Sequence, residues 1–95
     1  MNIIENIKIV QAKTFWQRFY GFMLKKDADY ALLFQNCSSV HTFFMRFNID
    51  VLFIDKNDKV IKVKNNVKPW RIVMPVKNAV SIIEIPSSLN KTKIF

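Results

Sequence analysis

Several residue types are nearly missing from this chain, and each scarcity excludes a class of protein. A single Cys excludes an internal disulfide framework and any zinc site built from several cysteines. No apolar run approaches the roughly 20 residues of a transmembrane helix, so no membrane span is predicted. One Gly and three Pro leave little room for linkers, and we expect a single domain over residues 1–95. The N-terminal stretch carries Glu5 and no long apolar core, so no signal peptide is predicted and we expect a soluble cytoplasmic protein.

Acidic residues are also few, and the charge balance is basic. Seven Asp and Glu stand against 15 Lys and Arg, which gives a net charge of +8. Such a balance is compatible with nucleic acid, an anionic lipid surface or an acidic ligand. Because the lysines are spread along the chain, an ordinary solvated surface is the first interpretation, ahead of a site for a polyanion. The charge leaves both interpretations open.

The longest strand pattern is the stretch over residues 40–55, which reads VHTFFMRFNIDVLFID. From Phe43 to Phe53 every odd position is apolar, whereas the even positions up to Asp50 are mostly polar. This period of two predicts a strand with one buried face. After Asp50 both faces become apolar, which is typical of a central strand covered on both sides. We expect a bend near residues 47–48 that divides the stretch into two strands.

The best helix pattern begins at Thr14, which forms a capping box with Gln17. Gly21 follows where a helix C-terminus favours a left-handed residue. Four aromatic residues lie between these signals, in two pairs spaced four apart: Phe15 with Phe19 and Trp16 with Tyr20. A helix this short is unstable alone in water. We therefore expect a helix over about residues 15–20 that is held on a sheet by its aromatic side chains.

Short apolar segments separated by polar turns predict further strands. Residues 55–59 form a strong hairpin turn, and Ile61 and Val63 after it are expected to face inward. The first strand is expected at an edge, and consecutive strands with short turns predict antiparallel pairing. The predicted class is α+β and mainly β: a small, strongly bent antiparallel sheet or a partly closed barrel of 6–7 short strands, with the one helix packed on it. The further predicted strands are residues 3–10, 30–34, 60–64, 67–74 and 79–85.

Several blocks of the sequence resemble the DUF192 family of small bacterial and archaeal domains. They are RFYGFM at 18–23, LLF at 32–34, the long block at 39–55, KPWR at 68–71 and IEIP at 83–86. The resemblance covers roughly residues 13–86, and its long central block is the specific part. Asn48 stands where the family usually has Pro, and residues 87–95 lack the family's Gly-rich segment, so its last strand is missing or altered. The family has no established activity, so the resemblance implies a fold and leaves the function open.

Polar residues within the central stretch supply the first candidate site. Arg46 and Asp50 lie on the same face of the predicted strand, and a bend between them would bring them together. They form either an ion pair that fixes the bend or an Arg presented to a carboxylate or phosphate, with Asp50 orienting it. Arg18 joins this site if the helix packs over the same face.

Two further candidates are a lone histidine and an aromatic residue beside cations. His41 is either a half-buried residue bonded to the backbone or part of a binding site, and with Cys37 it is a weak candidate for nucleophilic catalysis. Trp70 beside Arg71 suits stacking on a base or sugar ring if it is exposed, and is a core residue if it is buried. No metal site, cofactor motif or catalytic residue set is predicted.

These observations predict a non-enzymatic binding or accessory domain for an anionic small molecule or peptide, with an unidentified small-molecule or protein partner. The first alternative is nucleic-acid binding through the basic surface, and the weaker one is a hydrolase or transferase that uses His41 and Cys37. The sequence decides neither the ligand nor the oligomeric state. The predicted ligand-binding residues are His41, Arg46, Asp50, Trp70, Arg71 and Arg18.

Overall fold

The computed structural model describes residues 7–90 and holds, within them, seven strands, one α-helix and one 3-10 turn. The mainly β, α+β class and the predicted number of strands are therefore confirmed. In chain order the elements are β1 (Lys8–Gln11), α1 (Phe15–Tyr20), β2 (Tyr30–Gln35), β3 (Val40–His41), β4 (Ile49–Ile54), β5 (Val60–Val67), β6 (Ile72–Val73), β7 (Ser81–Pro86) and a 3-10 turn (Ser87–Leu89).

Five strands form one mixed sheet in the order β1-β2-β7-β4-β5, and β3 pairs with β6 in a separate two-stranded sheet. The larger sheet is not closed into a barrel, so the open sheet is the observed one of the two predicted forms. β1 lies at an edge, as predicted. Its pairing corrects the antiparallel prediction, because β1 runs parallel to β2. The connection over residues 12–29 includes α1, and a parallel pair requires such a long crossover.

β4 is the central strand that the sequence predicts. All six of its residues are buried, and it pairs antiparallel with β5 on one side and β7 on the other. Its side chains alternate between two apolar clusters. One cluster contains Phe22, Phe53 and Ile82, and the other contains Leu52 and Ile83. Both faces of the sheet therefore carry packed apolar side chains, which explains the loss of alternation after Asp50.

The central stretch does divide into two strands, but the break is wider than a bend at residues 47–48. Residues 42–48 form an irregular connection, and β3 and β4 belong to different sheets. Phe44 has a φ of 63°, and the Met45 N–H donates to the Thr42 carbonyl at 3.2 Å. The apolar alternation at Phe43, Met45 and Phe47 therefore belongs to turns and not to a strand.

Helix α1 begins and ends where its capping residues predict. The Thr14 hydroxyl accepts the Gln17 N–H at 3.0 Å, and the Gln17 side chain returns to the Thr14 N–H, which completes the capping box. Gly21 caps the C-terminus with a φ of 49°. The predicted packing of α1 through its aromatic side chains is wrong, because none of its six residues is buried. The aromatic residue that anchors this segment is Phe22, just beyond the helix, which is fully buried.

The hairpin between β4 and β5 has the predicted turn. The Asp55 Oδ1 atom accepts the N–H groups of Asn57 and Lys59 at 2.8 and 3.0 Å. β5 continues to Val67, beyond the predicted end at residue 64. A register shift opposite residues 53–54 leaves Ile61 exposed, so the expectation that it faces inward is wrong.

Parts of the remaining predictions fall outside the described residues. Of the predicted strand over residues 3–10, the structure describes only the end, as β1. The predicted loss of the family's last strand concerns residues 87–95, of which the structure describes a 3-10 turn and Asn90. The predicted strand over 67–74 shortens to β6, since Pro69 and Trp70 lie in an irregular connection. Within residues 7–90 no helix is long and apolar enough to cross a membrane.

Candidate functional site

The most unusual side chain in the sheet is the carboxylic acid of Glu84. It lies at the middle of β7, opposite Leu32 of β2 and Val51 of β4, and is 2% exposed. Alternation along β7 places it on the same face as Ile82. Among residues 7–90 no group donates a hydrogen bond to its Oε1 atom or accepts one from it. A buried carboxyl is normally paired, so this one requires an explanation.

Burial changes the protonation of Glu84. Loss of hydration disfavours the charged form and raises the pKa of Glu84 from 4.5 to about 8. The carboxyl group is therefore mainly neutral at pH 7. A neutral carboxyl has one O–H donor and further acceptor positions, so it can serve either kind of polar group on a ligand.

Gly21 lies directly over this carboxyl, at the end of α1. A Cβ atom added to Gly21 would lie 3.9 Å from Glu84 Oε1 and 3.5 Å from Phe34 Cζ. The positive φ of Gly21 is a conformation that residues with a side chain rarely adopt. Both distances are ordinary van der Waals contacts, so it is the positive φ at the end of α1, and not the approach to Glu84, that favours the only glycine of the chain here.

Arg18 connects α1 to the end of β2 and lines the same cavity as Glu84. Its Nη1 atom donates to the Gln35 carbonyl at 2.8 Å. The guanidinium carbon lies 6.0 Å from the centre of the Phe34 ring, at the limit of a cation–π contact. One guanidinium carries five N–H donors, and the bond to Gln35 leaves others to face a ligand.

Cys37 and His41 complete the polar lining. The Cys37 thiol donates to the Ser39 carbonyl at 3.1 Å, and burial raises the pKa of this thiol. Since a nucleophilic cysteine needs a lowered pKa, this environment does not favour catalysis by Cys37. The His41 Nδ1 atom accepts the Phe43 N–H at 3.2 Å, and the imidazole stacks on the Phe43 ring at 4.9 Å. When the ring is neutral, its other nitrogen therefore carries the proton.

These side chains surround one cavity of about 160 Å³, which we call the Glu84 cavity. It has room for a small organic group and lies between α1, β2, β7 and the connection through β3. Of the predicted ligand-binding residues, the structure brings Arg18 and His41 together here. The polar residues that line the cavity are Arg18, Cys37, Ser39, His41 and Glu84, and apolar lining comes from Phe19, Tyr20, Met23, Phe34, Val40 and Met45.

Asp50 lies at a different place, where β4, β5 and the end of β7 meet. It is fully buried. Its Oδ1 atom accepts the Asn66 N–H at 2.8 Å and the Ser87 hydroxyl at 2.7 Å, and its Oδ2 atom accepts the Asn90 amide at 2.7 Å. Asp50 thus ties the end of β5 to the 3-10 turn after β7, and it does not line the Glu84 cavity.

Trp70 and Arg71 lie in the connection between β5 and β6. The side chain of Thr42, which is buried, holds this connection in place. The Thr42 hydroxyl donates to the Lys68 carbonyl at 2.7 Å and accepts the Arg71 N–H at 2.8 Å. The Trp70 N–H donates to the Thr42 carbonyl at 3.0 Å. Neither Trp70 nor Arg71 lines the Glu84 cavity, and exposed Arg46 does not line it either.

The Trp70 side chain is 56% exposed, so it is a surface residue and not a core residue. Its ring centre lies 4.7 Å from that of Phe44 and 5.8 Å from that of Phe43. Both Trp70 and Phe44 have positive φ angles, 66° and 63°. We call Phe43, Phe44 and Trp70 the Trp70 platform. Through the stacking of Phe43 on His41, it lies next to the Glu84 cavity.

Sequence reasoning missed Glu84 and the position of Gly21 in the lining of the cavity. A signal for Glu84 was present, because a single acid interrupts the apolar segment SIIEIP over residues 81–86. Charged residues are almost never fully buried unless they are paired. An acid in a strand apolar on both sides is therefore a candidate site residue.

The family model and the curated relatives agree on a family and name no activity. The DUF192 family model, described as an uncharacterised group, matches residues 2–94, a longer span than the resemblance over 13–86. A protein named UPF0127 from Thermococcus sibiricus is 41% identical over 79% of this chain and 52% of its own length. One from Thermococcus kodakarensis is 40% identical over 90% of this chain and 57% of its own length. The chain thus spans about half the length of these archaeal relatives.

A solved structure shares the fold at low sequence identity. A crystal structure of a protein of unknown function from Novosphingobium aromaticivorans matches 90% of this chain and 67% of its own, with a TM-score of 0.76 and 14% identity. At that identity the similarity concerns the fold alone.

Proposed function

The chain belongs to the DUF192 family, and from the site geometry we propose that it is a non-enzymatic domain that binds a small carboxylate ligand in the Glu84 cavity. The observation that supports this proposal is the buried Glu84 Oε1 atom, which has no hydrogen-bond partner within residues 7–90. An unsatisfied buried polar group costs about 1–3 kcal/mol. A ligand that supplies the missing partner would recover part of that cost on binding.

The charges around the cavity favour an anionic ligand. The Glu84 carboxyl is mainly neutral at pH 7 because burial raises its pKa to about 8, so its O–H group can donate to a ligand carboxylate. Arg18, which lines the same cavity, supplies a permanent positive charge and further N–H donors. The aromatic and methionine side chains between them suit a small apolar body. A monocarboxylate therefore matches both the polar and the apolar parts of this cavity.

This assignment predicts a pH-dependent affinity for small carboxylates. Above its pKa, Glu84 becomes an anion that repels the ligand, so about one pH unit above this pKa the affinity should fall about tenfold, in proportion to the neutral fraction. Amide NMR titrations with benzoate, at pH values below and above 8, measure this change. Glu84→Gln keeps a neutral N–H donor in the same place, so it should bind benzoate with little dependence on pH in this range.

Two variants separate this site from the one that the sequence predicts. Arg18→Gln should weaken benzoate binding about tenfold or more, because charge-assisted hydrogen bonds contribute roughly 1.5–3 kcal/mol. Arg46→Ala changes an exposed residue outside the cavity lining and should bind like the wild type. If Arg46→Ala abolishes binding and Arg18→Gln does not, the ligand lies at the predicted Arg46 site and this proposal is wrong. Absence of binding by any small carboxylate at pH 6 would also contradict it.

A second candidate function, binding of single-stranded nucleic acid, has support from the Trp70 platform. Exposed aromatic rings beside Lys68 and Arg71, in a chain of net charge +8, suit stacking on bases together with contacts to phosphates. Phe44 and Trp70 both have positive φ angles, and both rings are exposed to solvent.

This candidate predicts that Trp70→Ala lowers affinity for a short oligothymidylate by about tenfold, since one stacked base contributes roughly 1–3 kcal/mol. Fluorescence anisotropy of a labelled oligomer, between about 50 and 200 mM salt, should show affinity falling steeply as counterions compete. Trp16→Ala is the matched control and should bind normally. Equal affinities of the two variants would contradict a role for the platform.

A further inference from the structure

An ordinary surface helix turns its apolar side chains toward the core, but helix α1 exposes its aromatic side chains to solvent. Its polar Arg18 reaches toward the sheet, where it donates to Gln35. At 100° per residue the four aromatic side chains fall within an arc of about 140°, and they are 47% to 69% exposed. A contiguous apolar patch on the surface of a small domain usually marks an interaction site. We call these four residues the aromatic arc: Phe15, Trp16, Phe19 and Tyr20.

The rings of the aromatic arc are stacked on one another, so the surface is ordered. Phe15 and Phe19 stack at 6.1 Å with 17° between their planes, and Trp16 and Tyr20 stack at 5.7 Å with 22°. The arc is thus a convex apolar ridge.

The chain around the arc is uniformly basic. Residues 7–26 contain no Asp or Glu, although the whole chain has seven. A groove of about 500 Å³ runs between α1 and the strands β1 and β2, and the described residues that line it include Lys8 and Lys25 but no acid. Trp16 and Tyr20 form part of its wall. The cations of this segment are Lys8, Lys13, Arg18, Lys25 and Lys26.

We propose that the aromatic arc docks this domain on the surface of an anionic lipid bilayer. Trp and Tyr side chains favour the boundary between headgroups and acyl chains, and lysines beside an apolar helix face favour anionic headgroups. A convex ridge can insert into a fluid surface, whereas a stable protein partner needs a matching face of about 800 Å². Six helical residues extend only about 9 Å. The lysine-lined groove beside the ridge offers room for a lipid phosphate.

Binding to vesicles tests this proposal. The full chain should co-sediment with vesicles of phosphatidylcholine mixed with phosphatidylglycerol, and much less with vesicles of phosphatidylcholine alone. Each lysine near an anionic surface contributes about a factor of five in partition coefficient. The triple variant Lys13→Gln, Lys25→Gln, Lys26→Gln should therefore bind on the order of a hundredfold more weakly. The matched control is Lys56→Gln, Lys59→Gln, Lys62→Gln, three exposed lysines around the β4–β5 hairpin, which should lose much less.

Fluorescence reports which face touches lipid. In a Trp70→Phe background, Trp16 is the only tryptophan, and its emission should shift to the blue on mixed vesicles. In a Trp16→Phe background, Trp70 emission should stay unchanged. The double variant Phe15→Ala, Trp16→Ala leaves the lining of the Glu84 cavity intact and should lose vesicle binding without losing its circular dichroism spectrum.

Three outcomes would overturn the proposal. One is an equal loss of vesicle binding in the two triple Lys→Gln variants, which would show that binding depends on net charge alone. Another is a blue shift of Trp70 without one of Trp16. The third is binding to polyglutamate with none to mixed vesicles, which would indicate an acidic protein partner for the arc.

Discussion

Raising the pH from about 5 to about 9 is expected to lower the free energy of unfolding by about 4 kcal/mol through Glu84 alone. The unfolded chain releases the Glu84 proton near its ordinary pKa of 4.5, whereas the folded chain keeps it up to about 8. Between these values the folded state binds more protons, so stability falls as the pH rises. The contribution is complete below about pH 4.5 and is lost above about pH 8. Above that pH a charged carboxylate must stay buried in the sheet.

Urea denaturation at several pH values measures this effect, and Glu84→Gln is the matched control. The amide has similar size and does not titrate, so its stability curve should lack the fall that the wild type shows between pH 5 and pH 9. The difference between the two curves isolates Glu84 from other titrating groups. Parallel curves would show that Glu84 has an ordinary pKa in the folded protein and is therefore hydrated or paired.

Glu84→Leu extends the same experiment to the relation between stability and binding. The Glu84 Oε1 atom has no partner within residues 7–90, and an unsatisfied buried polar group costs about 1–3 kcal/mol. An apolar side chain of similar size removes that cost. The variant should therefore be at least as stable as the wild type above pH 8 and should bind no benzoate. A side chain that is retained at a cost in stability is expected at a functional site.

Asp50→Ala is expected to lower the free energy of unfolding by about 3–5 kcal/mol, because it leaves several buried donors without an acceptor. The Asn66 N–H, the Ser87 hydroxyl and the Asn90 amide all donate to this carboxylate. The variant also loses the two side-chain hydrogen bonds that join Ser87 and Asn90 to β4. Urea denaturation at constant pH measures the change.

Two further variants control for the Asp50 result. Asp50→Asn keeps one acceptor oxygen and should lose about half as much, since Asn90 can turn its amide to accept. Asp29→Ala removes an exposed acid of the same type and should stay within about 0.5 kcal/mol of the wild type. If Asp50→Ala instead keeps full stability and loses benzoate binding, Asp50 belongs to the ligand site that the sequence predicts.

Features that depend on neighbouring residues along the chain were predictable. The capping box of Thr14 and Gln17, the Gly21 stop and the Asp55 turn all depend on bonds within a few residues, and each occurs at its predicted position. The burial of β4 on both faces also followed from its sequence, because a run of apolar residues must be covered twice. The family resemblance was equally local and is confirmed over a longer span.

The apolar pattern gave a wrong prediction where side chains alternate between buried and exposed although the backbone is not extended. The alternation from Phe43 to Phe47 suggested a strand, but a turn with Met45 inside and Phe44 outside produces the same pattern. Likewise, aromatic residues on α1 were expected to face the core, since sequence alone gives no sign that Arg18 would take that side. The partners of Asp50 lie 16 to 40 residues away in the chain, so no local pattern could identify them.

The sequence by itself determined the class of fold, the ends of the helix, the central buried strand and the basic character of the surface, because each depends on composition or short-range bonds. Tertiary structure alone decided that β7 inserts between β2 and β4. That insertion places Glu84 in the middle of the sheet, in a cavity that Gly21 and Arg18 also line. The candidate site is therefore a product of strand order, which arises from packing between distant segments and leaves little trace in any one of them.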